Sequence, residues 1–318
     1  MKHIFLFDPK SFFDQQWKMD TILDQIGQFF RTQENPDWSI QMSRYRRDAI
    51  MILQEEIVKA KQGDVVRVYA VGGEGILYDC VNAAAHYPNV QVAAIPYGEF
   101  SNFTYIFGEN TTESFRDIST IIQGEGLPTD LIRWGVNYAL NSCYIGLNST
   151  MAARVKNLKT SLNKGVFLLF SKFTNFFNNI FTAFDKEISD QKYIITVDDA
   201  DYSGHYCLIH VANGPYHAGR TTGLRDATPN DGLLDIALIR STGAFRTIRS
   251  VRRYARGKCS KNVVCLQAKK ITISSEREMW VHMDNEYFQD THIELNIVPQ
   301  AIQMVAPAGL SYPLATIS

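Results

Sequence analysis

Three short stretches hold the residues that could do chemistry. Gly72-Gly73-Glu74-Gly75 follows the apolar run Val65 to Val71, and Pro96-Tyr97-Gly98 follows a second apolar run, Val90 to Ile95. Glycines at the carboxyl end of a strand permit φ > 0 and let a ligand approach the N–H groups that open a helix. That is a phosphate site in outline. The same residues would serve an ordinary tight turn, and they lack both the Lys-Ser/Thr of a P-loop and the spacing of a dinucleotide fingerprint. The second stretch runs from Asp226 to Asp235 through Asp231-Gly232. An oxygen-rich turn of this kind suits a hard cation, although Asp-Gly also makes turns that hold no metal. The third is Met283-Asp284-Asn285-Glu286, two carboxylates at what is otherwise a hairpin turn between Trp280 and Ile293.

The elements that position these stretches follow from the hydrophobic pattern. Apolar run, glycine turn, helix-like Ile76 to His86 and second apolar run make a βαβ unit, since parallel strands need a crossover. Upstream, Ile4 to Phe7 reads as a buried strand ending at Asp8-Pro9-Lys10-Ser11, where Asp8 or Ser11 could cap a helix. Trp17 to Phe30 carries apolar residues at helical spacing, Trp38 to Met42 reads as a strand, and Ile50 to Lys61 as an amphipathic helix. Arg44, Arg46 and Arg47 read as a solvated helix start or a phosphate clamp. A single short helix is expected near residues 110–126.

From about Ile132 the texture changes to short alternating runs between polar turns, the pattern of an antiparallel sheet. Tyr193 to Val197 and Tyr206 to Val211 flank a turn and are expected to form a hairpin. Val263 to Ile273, Met279 to Met283 and Ile297 to Pro307 read as later strands. Phe167 to Phe184 holds seven phenylalanines interrupted by Lys172 and three asparagines. It is too broken for a membrane span. It fits either a helix packed on the sheet or the lining of an acyl-chain pocket. Phe245 to Lys261 is basic, either a solvated helix face or a contact with an anionic bilayer.

At 318 residues, with 45% hydrophobic and 20% charged side chains, the chain suits two ordinary globular domains. A net charge of -1 argues against a dedicated nucleic-acid binder. The five cysteines form no C-x-x-C pair and read as free thiols. The apolar run at the amino terminus is too short for a secretory signal, so a cytoplasmic location, peripheral at the membrane if the basic stretch makes contact, is the expectation.

Taken in order, these blocks resemble the diacylglycerol kinase catalytic family, which includes sphingosine, ceramide and bacterial lipid kinases and is distantly related to NAD kinases. The family pattern is Gly-Gly-Asp-Gly-Thr-Leu, then Pro-Leu-Gly-Thr-x-Asn-Asp-Phe. The resemblance implies an α/β protein. Residues 1-132 would form an amino-terminal three-layer α/β nucleotide-binding domain and 133-300 a carboxyl-terminal antiparallel β-sandwich-like domain, with 301-318 a tail packing back on the first. It implies transfer of the ATP γ-phosphoryl group to a lipid hydroxyl, most simply diacylglycerol, at a membrane surface. Gly72, Gly73 and Gly75 would cradle phosphate. Asp8, Ser43, Gly98 and Ser101 would line the nucleotide, and Glu74 would help place Mg²⁺. Asp284, with Glu286 beside it, would orient or deprotonate the acceptor, and His282 would be structural. Asp231 would hold a structural Mg²⁺ together with the carbonyls of Thr228 and Leu233. Asn141, Ile145 and Gly146 match a further block, in which Asn148 replaces an aspartate.

The chain departs from the pattern at Asp8, Glu74, Ile76, Glu99, Ser101 and Asn102, mostly where a nucleotide would bind. Two alternatives follow: a lipid- or nucleotide-binding protein of this fold without catalysis, and a NAD kinase-like nucleotide kinase. Monomer and homodimer are both open.

Overall fold

Four apolar runs lay down the first sheet of the computed structural model, which describes residues 1–60, 63–98, 101–108, 110–146, 191–217, 220–284 and 286–313. These are β1 (Lys2–Phe7), β2 (Asp37–Met42), β3 (Val66–Gly72) and β4 (Val90–Pro96), all parallel in the order β2-β1-β3-β4. Every residue of β3 is buried, because helices cover both faces of the sheet. Right-handed crossovers put α1 (Gln16–Arg31) on one face and α2 (Asp48–Lys59) with α3 (Glu74–Ala84) on the other. Three short helices follow β4: α4 (Asn102–Tyr105), α5 (Thr112–Arg116) and α6 (Ile118–Ile122). The single helix expected near residues 110–126 is therefore two. Asp117 breaks it by leaving helical geometry and capping the second, accepting the Thr120 N–H at 2.8 Å.

From β1 the chain moves outward to β2, whereas from β3 it moves the other way to β4. The carboxyl ends of β1 and β3 thus flank a topological switch point, the usual place for a ligand crevice in an open α/β sheet.

β5 (Glu125–Trp134) carries the chain from the first layer into the second, so residue 132 falls inside a strand. The second domain contains β6 (Asn137–Ala139), β7 (Ser142–Gly146), β8 (Lys192–Val197), β9 (Ala200–Asp201), β10 (Gly204–Ala212), β11 (Tyr216–His217) and β12 (Arg220–Thr221). It continues with β13 (Leu234–Arg240), helix α7 (Ala244–Tyr254), β14 (Val263–Ala268) and β15 (Lys270–Met283). β14, β13, β10, β7 and β15 lie side by side. β15 changes partner across an irregularity between Ser274 and Met279: its first half pairs with β8 and its end with β7. Ile195, Ile209, Ile236, Leu238, Ile271 and Ile293 fill the core between the layers. The hairpin expected between residues 193 and 211 is replaced by a smaller one, β8 with β9. β10 meets β8 only at Gly204 and His205 and otherwise lies between β7 and β13, because its residues from Tyr206 onward are all buried and require a central position.

The last strand, β16 (Glu286–Ala306), is 21 residues long and begins well before the expected Ile297. It pairs antiparallel with β15 and β5, and Gln303–Val305 also pair parallel with β4. One strand thereby belongs to both domains. Beyond it, Tyr312 packs its ring 5.3 Å from that of Phe107, and its hydroxyl lies 2.7 Å from Thr129 Oγ1. Among the described residues, no helix is long and apolar enough to cross a membrane. The phenylalanine-rich stretch 167–184, with Glu99, Asn148 and Asn285, lies outside the described residues.

Candidate active site

The switch point collects most of the residues singled out by sequence. Asp8 follows β1, Ser43 follows β2, Gly72 ends β3, and Gly98 follows β4. Backbone bonds stitch these ends together: Asp8 N–H to Val71 O at 3.0 Å, Ser43 N–H to Phe7 O at 2.8 Å, and Tyr97 N–H to Gly72 O at 2.8 Å. Two of the glycines are dictated by space. A Cβ on Gly98 would lie 2.5 Å from Gly73 Cα, so the turns after β3 and β4 touch backbone to backbone. A Cβ on Gly72 would lie 3.1 Å from Asp8 Cβ and Ser11 Oγ. The residues leave a peptide-lined cradle at the N-terminus of α3, with Gly73 as its N-cap and no side chain capping it. Such a cradle fits a phosphate.

Asp8 uses its carboxylate locally. It accepts the Lys10 N–H at 3.2 Å and the Ser11 hydroxyl at 2.9 Å, the capping role. Ser101 is buried and opens α4, where its carbonyl accepts the Thr104 hydroxyl at 3.1 Å.

The two carboxylates Glu74 and Asp284 meet through one residue. Asp284, in a left-handed conformation (φ 48°), accepts backbone N–H groups from Leu140 at 2.6 Å, Asn141 at 3.1 Å and Ser142 at 2.9 Å. Asn141 extends its side-chain amide to Glu74 Oε2 at 3.4 Å, while Glu74 Oε1 accepts the Asn102 N–H at 2.8 Å. Desolvation raises the Asp284 pKa to about 6 against the pull of the three amides. Desolvation and the nearby Asp284 charge raise Glu74 to about 8, the Asn102 N–H opposing. Two acids that resist ionising together are poised to hold a proton or a cation.

Glu74 therefore makes a pH-dependent stability prediction. Its folded pKa lies above its unfolded value, so its contribution to stability is present at low pH and lost as pH rises towards 8. Without divalent cation, Glu74→Gln should match wild type at pH 5 and melt about 3 °C or more higher at pH 8.5. Differential scanning calorimetry at the two pH values checks this, and an equal shift at both would contradict it.

Glu286 has a different setting. It is buried and ion-paired to Arg46, with Arg46 Nε donating to Oε1 at 3.0 Å, and Arg47 Nη2 lies 3.8 Å from Oε2. Arg44 pairs with Asp48 at 3.1 Å. All three arginines are exposed at the start of α2, as in the solvated-helix-start reading, and Arg46 and Arg47 also tie the segment after β2 to the β15–β16 turn. His282 stacks on Tyr287 with ring centroids 4.4 Å apart.

The acidic loop is anchored by Asp130, a residue that no motif marks. Asp130 Oδ2 accepts the Gly232 N–H and Oδ1 the Gln300 N–H, each at 2.7 Å. Asp231 Oδ1 accepts the Leu233 N–H at 2.9 Å, and the buried Thr228 donates its hydroxyl to Asn230 at 2.8 Å. Among the described residues, no three His, Cys, Asp or Glu side chains are grouped to hold a metal. A cation in this loop would depend on one carboxylate and peptide carbonyls. The buried Asn213 bonds the carbonyls of Asp130 and Leu140 at 2.7 and 2.8 Å, joining this loop to the Asp284 site.

Comparison with known proteins matches residues 2–134 to the diacylglycerol kinase catalytic domain and residues 144–306 to the YegS C-terminal NAD kinase beta sandwich-like domain. Staphylococcus aureus proteins provisionally named lipid kinases, from strains JH9 and N315, are 26% identical over 273 residues, covering 84% of this chain and 86% of theirs. Two crystal structures from Bacillus anthracis, titled as diacylglycerol kinases, one of them provisionally, superpose with TM-scores of 0.69 and 0.74. They are 20% and 22% identical and cover 98% of both chains, which establishes a shared fold.

Proposed function

Because the chain belongs to the diacylglycerol kinase catalytic family, with that family's catalytic and sandwich domains, we propose that it transfers the γ-phosphoryl group of ATP to a lipid hydroxyl, with diacylglycerol the simplest acceptor. The observation that carries this reading is the conjunction at the switch point: a cradle of touching glycines, Gly72, Gly73 and Gly98, beside the Glu74 and Asp284 carboxylates joined by Asn141.

In this reading the α3 N-terminus and the glycine turns hold the triphosphate through backbone N–H groups. Asp284 already accepts three amides. A carboxylate has about four lone-pair sites, leaving room for the acceptor hydroxyl. With a pKa near 6 it is ionised at neutral pH yet basic enough to take the hydroxyl proton as the new O–P bond forms. Glu74 would hold Mg²⁺, which neutralises charge on the phosphates. Tight placement does the rest, since phosphoryl transfer depends mainly on positioning and electrostatics.

The test is calorimetry of ATP with Mg²⁺, followed by phosphate transfer to diacylglycerol in mixed micelles. Asn102→Asp restores the carboxylate of the family pattern beside Glu74, and the variant is expected to bind Mg²⁺-ATP about tenfold more tightly and to transfer faster. Wild-type protein that binds no nucleotide at millimolar concentration would overturn the kinase reading and favour a binding protein without catalysis. That alternative draws on Glu74 being tied to Asn102 N–H.

A further inference from the structure

From Ile236 to Ser275 the chain carries ten Lys and Arg residues and no Asp or Glu, in a protein whose net charge is -1. Helix α7 gathers part of this charge on one face. Thr247, Ser250 and Tyr254 are buried, which turns Arg246, Arg249 and Arg253 outward at i, i+3 and i+7. With Lys261 they line a groove of about 670 Å³. Its floor is polar: Ser250 Oγ accepts the Asn262 amide at 3.2 Å and lies 3.4 Å from the Ser260 hydroxyl.

Like charges facing one volume repel, and among the described residues no carboxylate pairs with any of these four cations to offset this. An anion would. Guanidinium forks match phosphate oxygens in geometry as well as charge. A second feature says where that phosphate resides. Phe245, in the first turn of the same helix, is 84% exposed. Inorganic phosphate gains nothing from an exposed ring, whereas a basic helix bearing an aromatic side chain is suited to the headgroup–acyl boundary of a membrane.

We infer that this groove and Phe245 dock the protein on an anionic phospholipid bilayer, with headgroup phosphates seated among Arg246, Arg249, Arg253 and Lys261. The inference rests on the lipid-kinase reading for its purpose, since the acceptor resides in a bilayer, but its test is separate. The full chain is sedimented with phosphatidylcholine vesicles and with vesicles in which about a third of that lipid is replaced by phosphatidylglycerol. Binding should appear only with the anionic vesicles and fade at high salt. The triple variant R246A/R249A/R253A should bind about 100-fold more weakly, at about fivefold per cation. F245S should bind several-fold more weakly with an unchanged salt slope. Both should retain wild-type melting temperatures.

Equal sedimentation with neutral and anionic vesicles, or a triple variant that binds like wild type, would overturn the inference. So would millimolar inorganic phosphate binding in the groove while vesicles do not, which would make it a site for soluble anions. Vesicle binding without any ATP binding would leave docking standing and remove the kinase reading; the reverse result would do the opposite.

Discussion

Asp284→Asn is expected to lower phosphate transfer to a lipid hydroxyl by about 10³-fold, the middle of the range for losing a general base. The wild-type rate should rise with pH through about 6, as the Asp284 carboxyl ionises. In the variant this limb should vanish, because an amide has no proton to lose. Stability should fall too. Each Asp284 oxygen accepts from the 140–142 backbone, and the amide nitrogen of asparagine would point a donor at one of those donors. A buried N–H left without an acceptor costs about 1–3 kcal/mol. The two effects separate by measurement. If Asp284 only anchors the turn, transfer would fall in proportion to the folded fraction, and the pH limb would survive. Rates across pH 5–9, taken beside melting temperatures, decide between a base and a staple.

How far the sequence foretold this arrangement depends on range. The first sheet was legible because β3 and β4 are continuous apolar runs bounded by glycine or proline, which is how strands covered on both faces must read. The Asp284 turn and the acidic loop were legible because turn residues act over a few positions. By contrast, the first half of β16 was hidden, because Gln289, Thr291 and His292 are polar and exposed and break the apolar alternation that marks a strand. The strand read from Ile297 onward does run through Pro299 and Gln300 (φ 48°), where a bulge between Val298 and Ile302 lets one strand serve two domains.

The contacts that join the halves of the site are longer still. Arg46 reaches Glu286 across 240 residues, and Asn141 reaches both Glu74 and Asp284 across 67 and 143. No spacing rule registers such distances. Local motifs and their resemblance to the family pattern therefore pointed to the residues that could do chemistry, while only the folded chain shows that Glu286 is committed to arginines and that Asn141 couples the two acids.

Gly98→Ala is expected to weaken ATP-Mg²⁺ binding by about 100-fold. The added methyl would sit 2.5 Å from Gly73 Cα, where nonbonded carbons prefer about 3.5–4.0 Å, so the two turns must part by about 1 Å. Neither side can yield by rotating a side chain, since both partners are backbone. Gly72 N–H and C=O geometry is fixed as well, because its carbonyl accepts the Tyr97 N–H at 2.8 Å. Parting the turns therefore moves the phosphate donors themselves. Gly27→Ala supplies the control. Nothing lies within 4 Å of its added Cβ, and an alanine in the middle of α1 should stabilise the fold by about 0.5–1 kcal/mol while leaving nucleotide affinity unchanged. Calorimetric titration of both variants separates the two outcomes. Equal affinity in Gly98→Ala and wild type would mean that the nucleotide does not use the cradle between the two turns, and the phosphate site would have to be sought elsewhere along the carboxyl edge of the sheet.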